Sequence, residues 1–281
     1  MTKLFGIITG LATLSACSST DVLNTLNRAE HYRTHTSLTY GQQPRQTLDV
    51  YQPRQPDATS ASCLVVFVYG GGWDSGRKEQ YGFVGAQLAK RGHTVVIPDY
   101  RLYPDVAYPT FVEDVSLAIA SEKVSELRNE RPLILIGHSA GAMIAGLISY
   151  DDRYLRSQGL DKSVIDGYIS LAGPHDYFLP SDKPRWVSIF GEAADQQRSA
   201  LTVEHIHANN PRTLILHGAD DDTVTPNSAH SLQRKLAAVN VSATKKIYSG
   251  VGHVRIMAAM AWPLHFLAPT LQDIDTELAG C

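Results

Sequence analysis

The sequence predicts an α/β fold: a mainly parallel central sheet flanked by helices on both faces. Three observations lead there. Short, continuous, branched apolar runs recur along the chain, stretches with helical periodicity separate them, and no composition break divides the globular part. A strand buried on both faces reads as an unbroken apolar run, whereas a strand with one wet face alternates.

The elements follow in order. Residues 38–40 and 47–51 alternate apolar and polar side chains, which suits an antiparallel pair at a sheet edge. A Pro/Ser/Asp-rich loop covers 52–62. The strand Leu64–Val68 then runs into the glycines at 70–72, with a helix expected near 79–91. Strand Thr94–Pro98 pairs with a helix over 110–127, and strand 133–137 with a helix over Ala140–Tyr150. A strand over 164–171 precedes an irregular stretch, 174–210, that has room for short helices. Strand 213–216 leads to a helix over 227–239, and strand 244–248 to helices within 254–279.

With 281 residues the chain can bury a sizeable core. A formal net charge of −3 gives no basic excess for nucleic acid, and 43% hydrophobic residues argue against disorder. The N-terminus differs in kind. Lys3 supplies a positive start, and Leu4 to Leu14 is an uncharged stretch too short to span a bilayer comfortably. It ends in Leu14-Ser15-Ala16-Cys17, which resembles the lipobox of bacterial lipoproteins; the alternative is an ordinary secretory signal. That resemblance implies removal of residues 1–16 and a lipid anchor at Cys17. With the uncharged Ser18 following, it also implies an envelope protein sorted to the outer membrane and facing the periplasm. Residues 17–34 then form a tether, and 35–281 a single domain. Cys63 and Cys281 can pair in an oxidising compartment, at the edge of the sheet away from the glycine loops; two free thiols are the alternative.

Chemistry concentrates after the strands. Gly137-His138-Ser139-Ala140-Gly141 stands between a buried strand and a helix, so its glycines permit a sharp turn that exposes the Ser139 hydroxyl. A serine hydroxyl needs a base, and the base needs an orienting carboxylate. Gly250-Val251-Gly252-His253 follows one strand, and His217-Gly218-Ala219-Asp220-Asp221-Asp222-Thr223-Val224 follows another, on the sheet edge where ligands bind. His253 is the base. The spacing from His217-Gly218 to Val224 selects Asp221 as the acid, with Asp220 and Asp222 as loop or cap carboxylates and Asp176 as an outside candidate. Upstream, the three glycines of Gly70-Gly71-Gly72-Trp73 have no side chains to shield their N–H groups, so Gly71 and Gly72, together with Ala140, form a candidate oxyanion hole.

These residues resemble the α/β-hydrolase carboxylesterases with a His-Gly-Gly-Gly motif, including bacterial feruloyl-esterase-like proteins. His-Gly-x-x-Asp-x-x-Val, Gly-x-Ser-Ala-Gly and Gly-x-Gly-His match fully, and Asp99-Tyr100-Arg101 resembles the stretch that buttresses the oxyanion loop in that group. Tyr69 departs from the pattern, standing where the group has histidine. The resemblance implies hydrolysis of small-molecule carboxylic esters with short or medium acyl chains, without a cofactor. Aryl formamidases share the elbow and most of the glycine loop, which makes formamide hydrolysis the first rival; a silent envelope scaffold is the second.

Other residues have plainer readings. No histidine pair has metal-ligand spacing with an acidic or cysteine partner, and Asp220–Asp222 lacks the glycine-spaced calcium loop. The glycines at 70–72 lack the Lys-Ser/Thr of a phosphate loop. His138 reads as packing and His217 as a brace for the acid loop. Tyr100, Tyr103, Tyr108, Trp186 and Phe190 serve either as pocket lining or as core. Nothing in the sequence indicates an oligomeric state.

Overall fold

The computed structural model describes residues 19–27, 32–54, 62–176 and 184–281. The expected signal segment and Cys17 lie outside them. Helix α1 (Ser19–Asn27) precedes strands β1 (Tyr32–Thr39), β2 (Thr47–Pro53) and β3 (Leu64–Val68). A 3-10 turn at Lys78–Tyr81 opens α2 (Gly82–Ala89), which leads to β4 (Thr94–Pro98). Helices α3 (Thr110–Ala120) and α4 (Glu122–Arg128) precede β5 (Leu133–His138), α5 (Ala140–Tyr150), α6 (Asp152–Arg156) and β6 (Gly167–Leu171). Short helices α7 (Pro184–Phe190) and α8 (Ala194–Ser199) lead to β7 (Arg212–Gly218) and α9 (Asn227–Ala238). The chain ends with β8 (Ala243–Tyr248), α10 (His253–Ala258) and α11 (Thr270–Leu278).

The strands form one eight-stranded sheet in the order β1-β2-β4-β3-β5-β6-β7-β8. The β1–β2 and β2–β4 pairs are antiparallel, and all pairs from β4 to β8 are parallel. Every residue of β3, β4, β5 and β6 is buried, in keeping with the apolar runs of β3, β4 and β5, and the buried Ser170 hydroxyl of β6 is paired with His175 Nε2 at 2.8 Å. β8, at the edge, alternates between exposed and half-buried positions until Tyr248.

The fold matches the expected α/β class, with local differences. The helix expected over 110–127 is two helices. Ser121 takes an extended backbone (φ −63°, ψ 148°), and its hydroxyl accepts the Val124 N–H, so it caps α4 while ending α3. The strand expected from 164 begins at Gly167, because Lys162–Val164 forms a 3-10 turn capped by Asp161. Part of the expected tether is folded onto the domain. Asn27 at the end of α1 is buried and receives the Gln87 amide at 2.6 Å, and the Asn24 carboxamide oxygen takes the Phe83 N–H at 2.8 Å. Among the described residues, no helix is long and apolar enough to cross a membrane.

Cys63 and Cys281 form a disulfide across 218 positions, with Cα atoms 5.6 Å apart. The bridge ties the start of β3 to the end of α11, at the sheet edge opposite the carboxyl ends of the strands.

Candidate active site

Ser139 sits between β5 and α5 with φ 54° and ψ −123°, a conformation that costs a non-glycine residue about 1–3 kcal/mol and clusters at functional sites. The turn is feasible because α5 folds back tightly over the sheet. A Cβ on Gly141 would lie 2.1 Å from the Val68 carbonyl oxygen, and one on Gly137 would lie 2.4 Å from the Gly141 carbonyl oxygen. The Ser139 N–H donates to Leu171 at 3.0 Å, fixing the elbow to β6.

The three predicted catalytic side chains meet. Ser139 Oγ is 2.8 Å from His253 Nε2, and His253 Nδ1 is 2.8 Å from Asp221 Oδ2. Each follows the carboxyl end of a parallel strand: β5, β8 and β7 respectively. The other Asp221 oxygen accepts the Thr223 N–H at 3.0 Å and the Val224 N–H at 2.8 Å. Burial works to raise the Asp221 carboxyl, but hydrogen bonds from His217, His253 and the Val224 N–H outweigh it, holding the group well below the usual carboxylate range. Asp220 and Asp222 are exposed, and Asp176 makes no hydrogen bond to His253.

Two further histidines hold this chain in place. His217 is fully buried; its Nε2 donates to the Val224 carbonyl at 2.7 Å and lies 3.3 Å from Asp221 Oδ2, so it braces the acid loop. His138 does more than pack. Its Nε2 donates to the backbone carbonyl of His253 at 3.2 Å, and the two rings lie 5.0 Å apart. Burial and the neighbouring His253 push the His138 imidazole down to about 3, so it stays neutral at pH 7.

The glycine loop lies against the elbow: a Cβ on Gly70 would be 3.0 Å from Ser139 Cβ. Gly71 has φ 140°, and a Cβ there would meet the Ser75 carbonyl oxygen at 2.1 Å. Its own carbonyl is occupied by the Ser75 N–H and hydroxyl, at 3.0 and 2.7 Å. Among the described residues, the N–H groups of Gly71, Gly72 and Ala140 have no acceptor.

Behind the loop stands a network that sequence reading located only in part. Tyr69 Oη donates to Asp99 Oδ1 at 2.7 Å and accepts from Arg45 Nη2 at 2.9 Å. Arg45 also donates to the Tyr100 and Gly76 carbonyls, each at 2.8 Å, and Tyr100 Oη donates to the Tyr69 carbonyl at 2.8 Å. Tyr100 is thus core and brace, stacked 4.7 Å from Tyr69. Phe190 is core too, while the half-buried Trp186 meets Trp73 edge-on at 5.2 Å. Arg185 was missed altogether. It pairs with Asp74 and donates to the Gly72 carbonyl at 3.2 Å, latching α7 onto the glycine loop. No local pattern marks an arginine whose partner lies 111 residues away.

Among the described residues, no group of three or more His, Cys, Asp or Glu side chains is placed to hold a metal ion. The assembled groups can activate a hydroxyl and stabilise an anion beside it, which is the equipment of nucleophilic acyl transfer.

The family model described as BD-FAE matches residues 48–236. The chain is 30% identical over 241 residues to a probable isoprenylcysteine alpha-carbonyl methylesterase, ICMEL1, of Arabidopsis thaliana, covering 77% of this chain and 50% of that protein. It is 29% identical over 247 residues to esterase LipC of Mycobacterium tuberculosis, covering 80% of this chain and 61% of that protein. The chain therefore spans about half to three-fifths of the length of these curated relatives. Among solved structures, a truncated carbohydrate esterase from gut microbiota superposes with a TM-score of 0.74 at 20% identity, covering 90% of this chain and 99% of that one.

Proposed function

Because the chain belongs to the BD-FAE family, we propose that it is a serine esterase acting on small carboxylic esters with short or medium acyl chains. The observation that carries this reading is the continuous Ser139–His253–Asp221 hydrogen-bond chain, with both links at 2.8 Å.

In the proposed reaction Ser139 Oγ attacks the ester carbonyl carbon while His253 Nε2 takes its proton. Negative charge gathers on the carbonyl oxygen, and the N–H groups of Gly71, Gly72 and Ala140 receive it. Asp221 holds the imidazolium by its Nδ1–H without itself taking the proton. Collapse of the tetrahedral intermediate breaks the C–O bond, and His253 protonates the departing alkoxide. Water then attacks the acyl-enzyme, giving up its proton to His253, and releases the acid and Ser139.

We also propose that the chain is lipid-anchored at Cys17 in a bacterial envelope, facing the periplasm. The lipobox-like Leu14-Ser15-Ala16-Cys17 supports this, as does the Cys63–Cys281 bridge, since disulfides persist outside the reducing cytosol.

The test is hydrolysis of p-nitrophenyl esters from acetate to decanoate by wild type and Ser139→Ala. The variant should lose about 10⁶-fold in kcat, and wild type should favour the shorter chains. A folded wild type that turns over N-formylkynurenine but no ester would replace this reading with formamide hydrolysis.

A further inference from the structure

Large hydrophobic side chains are exposed at five described positions. Val254 directly follows His253 and lies apart from the rest in the sequence. The other four lie on two segments that the fold joins. Val22 and Leu26, 49% and 46% exposed, are one turn apart on the same face of α1. At the end of that helix, the buried Asn27 side chain accepts the Trp262 N–H at 2.9 Å and donates to the Trp262 carbonyl at 3.0 Å. This two-point clamp holds the Trp262 backbone against the tip of α1. Trp262 is 53% exposed, and Phe266, four residues on, is 79% exposed.

We infer that Val22, Leu26, Trp262 and Phe266 form a face that rests on a lipid bilayer. Soluble surfaces scatter such side chains singly, whereas an apolar helix face beside exposed Trp and Phe is what the water–lipid interface accommodates. The inference rests on the lipid-anchor reading, and chain length selects the bilayer as occupant. α1 begins two residues after Cys17, a span of at most about 7 Å. A lipid on Cys17 would therefore bring this end of the domain to the membrane surface. The clamp then fixes the orientation of the domain, with Trp262 at headgroup depth.

The test uses mature protein with its native N-terminus, reconstituted into phosphatidylethanolamine–phosphatidylglycerol vesicles carrying brominated lipids. Emission from Trp262 is the difference between wild type and Trp262→Phe. Bromines near the headgroup end should quench it, and aqueous iodide should not. The double variant Leu26→Ser/Phe266→Ser should keep its esterase activity and vesicle attachment yet lose the lipid quenching. Iodide quenching on vesicles without quenching by brominated lipid would overturn the inference. So would protection from iodide that rises with protein concentration without lipid quenching, which would mean a second copy covers the face. The mass of the N-terminal peptide reports the anchor separately. Lipid on Cys17 without quenching sinks the face alone, and quenching with an unmodified Cys17 sinks the anchor alone.

Discussion

Replacing Tyr69 with phenylalanine removes one oxygen from beneath the glycine loop and should weaken both the fold and the catalysis. The lost hydroxyl donates to the Asp99 carboxylate at 2.7 Å and accepts from Arg45 at 2.9 Å. Asp99 keeps the Lys78 N–H at 2.8 Å and Arg45 at 3.6 Å, so its charge is not abandoned. A hydrogen bond to a charged acceptor is worth about 1.5–3 kcal/mol, and the ring stacks on Tyr81 and Tyr100 survive the change. A stability loss of about 2 kcal/mol follows, or about 4–8 °C in melting temperature for a domain of this size. Catalysis should respond because Gly70–Gly72 continues directly from Tyr69. Losing an oxyanion donor outright costs about 10²–10³ in kcat, so a donor displaced by a fraction of an ångström should cost about tenfold. KM should stay level, since the defect acts on the developing oxyanion and not on ground-state binding. Thermal melts and steady-state kinetics on a p-nitrophenyl ester read both effects. A variant with unchanged melting temperature and unchanged kcat would refute the reasoning and leave the loop braced by ring stacking alone.

Four more outcomes are expected. Asp221→Asn should lower kcat about 10⁴-fold with the fold intact, while Asp220→Asn and Asp222→Asn stay near wild type in the same ester assay. Arg185→Gln should lower kcat a few-fold with a loss of at most about 2–4 °C in melting temperature, because the half-exposed pair with Asp74 contributes at most about 1 kcal/mol; Arg185→Lys should recover only part. Cys63→Ser/Cys281→Ser should lower the urea midpoint, with a chain-entropy ceiling of about 5 kcal/mol for a closure of 218 positions, yet leave kcat unchanged at the far edge of the sheet. Acid should unfold the protein through buried histidines. Burial lowers His138 and His175 to about 3 and His93 to about 4, from 6.5, so the unfolded chain binds protons that the native state refuses. Their contribution is complete above pH 6.5 and is lost as pH falls toward 4 for His93 and toward 3 for His138 and His175, by at most about 1.4 kcal/mol per histidine per pH unit. Urea midpoints measured across that range should fall, less steeply for His175→Asn.

Much of this molecule was legible from the chain alone because the signals are local. A parallel strand covered on both faces is apolar at nearly every position, and β3, β4 and β5 declare themselves within five or six residues. The Ser139–His253–Asp221 hydrogen-bond chain was legible for a related reason. Ser139, Asp221 and His253 each sit just past a strand, and parallel strands carry all such loops to one edge of the sheet. What stayed hidden depends on which distant surfaces meet. The Cys63–Cys281 bridge was undecided between pairing and free thiols until the start of β3 and the end of α11 were placed side by side. Asn27 looked like part of a polar tether, although Gln87 and Trp262 are waiting for its carboxamide. Arg45, Tyr69 and Asp99 are scattered along the chain, and Arg185 lies far from Asp74. Periodicity and turn chemistry act over a few residues, but a buried polar group is satisfied only by whatever the completed packing brings within hydrogen-bond reach.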